Sequence, residues 1–494
     1  MLKTLAILPP PFWVVIGLLG LGAVLASGRI RQGVGLPMLA VLATVAFWYV
    51  GDALYNEYAE NYTHKFAPQT LKNAWWQVAL FVVVFVATAP VVNRILNARY
   101  LHLRSRVSQM LNAGIADALF QMRLERLLNA CVLIWVLLTI VAVIRLRSEV
   151  VYYFFPFLGH LADPWGRGRV GGGIDAVLSL AGYLQMFVAG SFGVVAALAT
   201  EPRVRRLALL GCLLTWPYYI FNRARNVMLA ALVPAVLAWT FLRLRGGIMI
   251  RVVVLTACFL LINAWFGFVI ANRSSLSIAA AVKQEGFNVE AAEEVHHEGL
   301  NMFEELCWIN TFMEQGTYTP NRGRRYFAEL VNPIPRSLWP GKPMIGIDYA
   351  IARGQAGGSE EQAGVYATIS TGMIGQGVVN FGRVFGPAFA ALLMSVWVAV
   401  LTRCDLRGER IGRIPLYALG LILTFNLGRD ITFITLYTFI FGAVVVWAVE
   451  RYAAKDAPSQ VQAAEARRGN RRKHSSRRSR SSRTVKVREI GSRP

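Results

Sequence analysis

The chain has 494 residues, of which 55% are apolar and 16% charged, with a mean hydropathy of +0.45. Soluble domains carry about 25% charged residues, so these proportions exclude a soluble globular protein and describe a polytopic membrane protein. The net charge of +23 is uneven: residues 451–494 hold fourteen Lys/Arg against three acids, Asp456, Glu465 and Glu489. The five cysteines, Cys131, Cys212, Cys258, Cys307 and Cys404, are too scattered for a disulfide framework or a zinc site.

Stretches apolar enough to cross about 30 Å of hydrocarbon occur near 8–28, 36–54, 74–93, 128–146, 174–200, 207–222, 227–242, 250–271, 384–402, 413–428 and 431–449. The expectation is an all-α protein of about eleven transmembrane helices. Residues 1–271 form a first membrane domain of about eight spans, 272–383 a large loop, 384–450 three further spans, and 451–494 a disordered basic tail. Pro9, Pro10 and Pro11 before a long apolar run suit a first span better than a signal peptide.

Lys and Arg in short connections mark the cytoplasmic side. With the basic tail placed there, the connections 29–35, 94–127, 201–206, 243–251 and 403–413 fall on the same side, and all five are basic. The stretch DALYNEYAENYTHK on the opposite side is acidic. The same parity places 147–173 and the long 272–383 segment outside. The tail then serves as a topology anchor able to hold anionic lipid head groups. No aromatic platform accompanies it, so no specific nucleic-acid partner is expected.

The outer turn FNRARN carries Arg223 and Arg225 against the usual charge bias. This turn reads either as a pair of cations snorkelling or paired with Asp175 or Asp52, or as an anion site. Arg429 and Asp430, in LGRD, read as a mutual pair. Within the long loop, 285–315 has helical spacing of Leu300, Phe303, Leu306 or Cys307, and Asn310, with Gly316 placed to stop it. His296 and His297 lie on that helix, but HHEGL is not a zinc motif. In NPIPRSLWPGKP, residues 332–343, Pro333, Pro335, Pro340 and Pro343 enforce a stiff, extended arm. That arm holds Arg336 and Lys342, suited to phosphate oxygens, and Trp339, suited to the membrane interface. Residues 362–382, broken by Gly364, Gly372, Gly375, Gly377 and Gly382, read as re-entrant or buried in protein.

The loop GTYTPNRGRRYFAELVNPIPRSLWPGKP followed by GQGVVNFGRVFG resembles the oligosaccharide repeat-unit polymerases, the Wzy-type O-antigen polymerase group, over residues 316–386. The resemblance implies a GT-C-like fold in a bacterial inner membrane, with the tail cytoplasmic and the long loop periplasmic. It implies transfer of a growing glycan from an undecaprenyl-diphosphate carrier onto an incoming lipid-linked oligosaccharide, building an O-antigen, capsule or exopolysaccharide. Membrane lipids, a chain-length regulator and an export complex are the further partners it implies. Members of the group carry arginine motifs of the form R-x10-G, and Arg353 to Gly364 is the match in the long loop.

Glycosyl transfer from a diphosphate needs fixed cations for the charge on the leaving phosphate and a base for the acceptor hydroxyl. Arg336, Lys342, Arg223 and Arg225 are the expected diphosphate ligands, with Arg273 and Arg353 behind them. Asp348 is the first candidate base, followed by Glu314 and His296. Trp339, Tyr349 and Tyr366 could stack on sugar faces. No DxD pair of metal-site character occurs in the long loop, so neither a metal nor another cofactor is expected. The rival readings are an O-antigen ligase, a GT-C enzyme with a polyprenyl-phosphate donor and its carboxylate among Asp52, Glu57 and Glu60, a lipid-linked sugar flippase, and a non-enzymatic export partner.

Overall fold

The computed structural model describes residues 8–113, 118–166, 172–222, 224–244, 246–271, 301–334, 338–354, 369–407 and 413–455, none of them in a strand. The helices are α1 (Pro10–Ser27), α2 (Gly35–Val45), α3 (Pro68–Leu96), α4 (Ala118–Leu146), α5 (Gly172–Leu198), α6 (Pro202–Ile220) and α7 (Arg225–Leu242). They continue with α8 (Ile248–Ala271), α9 (Met302–Glu314), α10 (Arg324–Val331), α11 (Ile347–Ala352), α12 (Gly372–Leu406), α13 (Arg413–Arg429) and α14 (Phe433–Lys455). Proline opens α1, α3 and α6, where its fixed φ is pre-set for a helix and its missing N–H costs nothing.

Each of the eleven expected spans coincides with a helix. Among the described residues, eight helices are long and apolar enough to cross a membrane. The other three fall short for visible reasons. Helix α6 starts on exposed Arg203, Arg205 and Arg206, while α7 and α13 are short.

Helices α1, α2, α3, α12 and α13 pack together, with α12 lying most extensively along α3. Helices α4 to α8 form a neighbouring group around α5, joined to the first where α7 and α5 meet α13. Small residues permit the close contact of α5 with α7: a Cβ on Gly190 would lie 3.2 Å from the Ala230 carbonyl oxygen. Helix α2 runs on through a π-helical turn, Ala46–Gly51, into a short helix, Asp52–Tyr55. That extra-wide turn re-aims two aromatics. Trp48 Nε1 donates to the Phe425 carbonyl at 2.8 Å, and Tyr49 Oη accepts the Ile374 N–H at 2.9 Å.

The long loop does not sit apart from the spans. Helix α9 packs on α3 and α12, with Phe303, Leu306, Cys307 and Ile309 buried. Asn310 and Gln77 exchange side-chain hydrogen bonds, both 2.8 Å, in the buried seam. Asp52 holds the start of α9. One carboxylate oxygen accepts the N–H groups of Phe303 (2.6 Å) and Glu304 (3.2 Å), the other the Tyr62 hydroxyl (2.7 Å) and the Asn56 amide (2.6 Å). Gly316, with φ +71°, follows the end of α9. The first part of the helix expected over 285–315 lies outside the described residues.

Helix α12 contains a sharp reversal. Gly382 has φ 82° and ψ −177°, a conformation reserved for glycine. In a straight helix Gly377 and Gly386 would be about 13 Å apart. Instead they meet backbone to backbone, and a Cβ on Gly377 would lie 2.2 Å from the Gly386 carbonyl oxygen. Residues 372–381 therefore double back as a short buried helix, pressed by Gly375 against Ile309 of α9. Residues 383–406 then run on as a long helix.

From Val444 the chain forms a second compact unit. Its described part continues α14, with the Arg451 guanidinium 5.3 Å from the Trp447 ring.

Candidate functional site

Helix α10, RRYFAELV, is built inside out. Arg325 and Glu329 are 2% and 3% exposed, whereas Phe327 and Leu330 are 49% and 57% exposed. In water the apolar stripe of such a helix would turn inward. Here the two ionisable side chains, one helical turn apart and therefore on one face, point into the protein.

Around them converge parts of the chain distant in sequence. Arg325 Nη2 lies 3.1 Å from Asp430 Oδ1, just past α13, and donates to the Ile369 carbonyl at 3.3 Å. Thr371 donates its N–H and its hydroxyl to the same Asp430 oxygen, at 3.4 and 3.3 Å. Gln376 of the short α12 arm fastens the turn after Asp430 by bonding both the carbonyl and the N–H of Ile431. Asn380 accepts the Tyr326 N–H at 3.3 Å. Gly346, with φ +64°, lies over the Arg325 guanidinium, which a Cβ there would approach to 3.3 Å.

The buried cluster so formed is unusual in what it leaves unsatisfied. Among the described residues, Arg325 Nε and Nη1, Glu329 Oε2, the Tyr326 hydroxyl and Asn321 Oδ1 are buried without a hydrogen-bond partner. Folded proteins leave few such groups, each costing about 1–3 kcal/mol and more when charged. Glu329 accepts the N–H of Phe433, at the start of α14, and also stands in the field of Asp430 and Tyr437. Burial pushes the Glu329 carboxyl up to about 7, with Arg325 pulling the other way. Burial disfavours the Arg325 charge, but Asp430, Glu329 and Asp348 outweigh that and hold the guanidinium above its ordinary pKa. A permanently charged fork thus sits beside a carboxyl that titrates near neutrality.

Compared with known proteins, the chain has no significant match among family models, curated proteins or solved structures. The site therefore rests on its own geometry.

Of the residues singled out in the sequence, His296, Arg336, Arg223, Arg273 and Tyr366 lie outside the described residues. Arg225 opens α7, with its side chain likewise outside the description. Asp348, beside the pocket, accepts the Tyr318 hydroxyl (2.8 Å) and the Asn321 amide (2.9 Å) on one oxygen. Glu314 is taken up elsewhere, by Thr70, Asn73 and Arg383. Arg353 lies 3.4 Å from buried Glu305 and 4.5 Å over the Trp308 ring, and Tyr349 donates its hydroxyl to Glu305. Asp430 pairs with Arg325, whereas Arg429 donates to Ser370 Oγ at 2.9 Å, so the expected Arg429–Asp430 pair gives way to a longer-range one.

The proline arm differs from the extended form expected. Its described residues form turns, with Asn332 and Ile334 N–H groups bonding back to Glu329 and Val331, and Lys342 N–H to Trp339. Proline forbids a helix, but turns accept it at their second position. Lys342, 9% exposed, donates Nζ to the carbonyls of Asn332 and Ile334, each at 2.8 Å, closing the arm into a loop. Trp339 stays partly exposed beside Phe327, ring centroids 6.4 Å apart.

Among the described residues no cluster of His, Cys, Asp or Glu could hold a metal ion. The pocket's own residues offer a cation with two free N–H donors, a titrating carboxyl with a free oxygen, and tyrosine surfaces. That set can hold an oxyanion and exchange a proton.

Proposed function

We propose that the chain is a glycosyltransferase of about eleven spans and GT-C-like fold, seated in a bacterial inner membrane. In this reading it joins undecaprenyl-diphosphate-linked oligosaccharides into a surface polysaccharide on the outer face. The observation that carries the reading is Arg325, buried with Nε and Nη1 unpartnered. When a sugar leaves a diphosphate, negative charge gathers on phosphate oxygens, and a planar guanidinium offers them two parallel hydrogen bonds. A cation fixed before the reaction needs no reorganisation as that charge develops. Further support is that Tyr318, Arg325, Gly346 and Asn380, all in the 316–386 stretch that carries the resemblance, meet in one cluster around α10. The rival with its working carboxylate at Asp52 is disfavoured, because both oxygens of Asp52 are committed to fixing α9 and its neighbours.

The test uses the full chain in lipid vesicles with an undecaprenyl-diphosphate-linked oligosaccharide. The expected product is a ladder of lengthened glycan. Arg325→Lys, which keeps the charge and loses the fork, should slow it by roughly 10²-fold. Transbilayer movement of the lipid-linked sugar with no new glycosidic bond would overturn the reading in favour of a flippase.

A further inference from the structure

Glu329 and Arg325 share one face of α10, yet among the described residues no ion pair joins them. Arg325 turns Nη2 to Asp430 and keeps two N–H groups free, while Glu329 gives one oxygen to the Phe433 N–H and keeps Oε2 free. Neighbouring opposite charges that decline to pair, each keeping a polar atom free away from water's dielectric, are arranged for a third group between them. The occupant must accept from a guanidinium at one end and donate to a carboxylate at the other. A phosphate oxygen satisfies the first requirement and a sugar hydroxyl the second.

We propose that Glu329 is the proton acceptor for the incoming sugar's hydroxyl, which rests on the glycosyltransferase reading above. The acceptor O–H bond breaks and its proton passes to Glu329 Oε2. The acceptor oxygen forms the new bond to the donor's anomeric carbon. The bond from that carbon to the phosphate oxygen breaks, and its electron pair leaves with the diphosphate held by Arg325. Glu329 returns its proton to water. The groups facing Glu329 are Arg325 from its own helix, Asp430 from the turn after α13, and the Phe433 N–H and Tyr437 hydroxyl from α14. Among the described residues Tyr437 Oη is itself buried without a partner, which leaves it free to orient the sugar. Asp348, by contrast, already takes two donors on one oxygen.

The experiment measures glycan lengthening from pH 5.5 to 8.5 in vesicles, together with binding of the undecaprenyl-diphosphate-linked oligosaccharide, for wild type, Glu329→Gln and Glu329→Asp. Wild-type rate should climb with pH through about 7, where Glu329 gives up its proton. Glu329→Gln should bind the carrier within about 2-fold of wild type, lengthen glycan on the order of 10²–10³-fold more slowly, and show a flat profile. Glu329→Asp, which keeps a carboxylate one methylene back, should retain a rising limb at reduced rate. It carries the test if the glutamine variant does not fold. Wild-type rate or an unchanged rising limb in Glu329→Gln, or a flat limb in Glu329→Asp, would overturn the assignment and leave the glycosyltransferase reading intact. A wild type that binds the carrier and makes no glycosidic bond would overturn both.

Discussion

Removing the Asp52 carboxylate separates scaffold from chemistry. Asp52 is fully buried and takes four hydrogen bonds, two of them from the first turn of α9. In Asp52→Ala the Phe303 N–H, capped by this carboxylate, and the buried Tyr62 hydroxyl lose their acceptor, at about 1–3 kcal/mol each. The total is roughly 2–6 kcal/mol. Asp52→Asn keeps the shape but turns an N–H₂ toward one of the two donor pairs, so about half that loss is expected. Thermal unfolding in detergent, followed by tryptophan emission, should show midpoints falling in the order wild type, Asn, Ala. Limited proteolysis should cut near residue 301 in the same order, as α9 comes loose. An Ala variant that unfolds with wild type would refute the reasoning. So would an Asn variant of wild-type stability that makes no glycan, since the carboxylate would then act on substrate.

Two further perturbations test the packing that frames the site. Gly377→Ala places a methyl carbon 2.2 Å from the Gly386 carbonyl oxygen, so the α12 reversal must open; cysteines at nearby positions of the two arms, Val378 and Phe385, should then cross-link less readily than in the parent background. Gln77→Leu and Asn310→Leu each strand a buried amide and should cost about 1–3 kcal/mol. The double variant, with no amide left unpaired, should unfold above at least one of the singles, and strictly additive losses would refute the pairing.

The helical segments were legible because an apolar run of about twenty residues has few other fates. The π-helical turn at 46–51 was not, since Ala46–Gly51 reads as uninterrupted span, and only its contacts with Phe425 and Ile374 show what the wider turn accomplishes. Prolines announced that 332–343 would not be helical, but they could not choose between an extended strand and turns closed by Lys342. The pocket was hidden for a different reason. Arg325 and Asp430 are 105 positions apart, and Asp52 and Phe303 are 251 apart, so no local pattern couples them. The alternation in RRYFAELV betrays an amphipathic helix, but the same pattern serves a helix facing water or lipid. The trace that could have singled out Arg325 and Glu329 is their four-residue spacing beside Phe327 and Leu330 within a membrane protein's loop.

The outward apolar side of α10 bears on where this cluster can sit. Phe327, Leu330, Leu338 and Trp339 form a greasy rim, and wetting each large side chain would cost about 1.5–3 kcal/mol. Lipid would make that rim costless, and on the glycosyltransferase reading proposed above it moors the loop at the bilayer's edge. On that reading a donor carried on an isoprenoid tail approaches by diffusing in two dimensions, without its tail ever leaving oil.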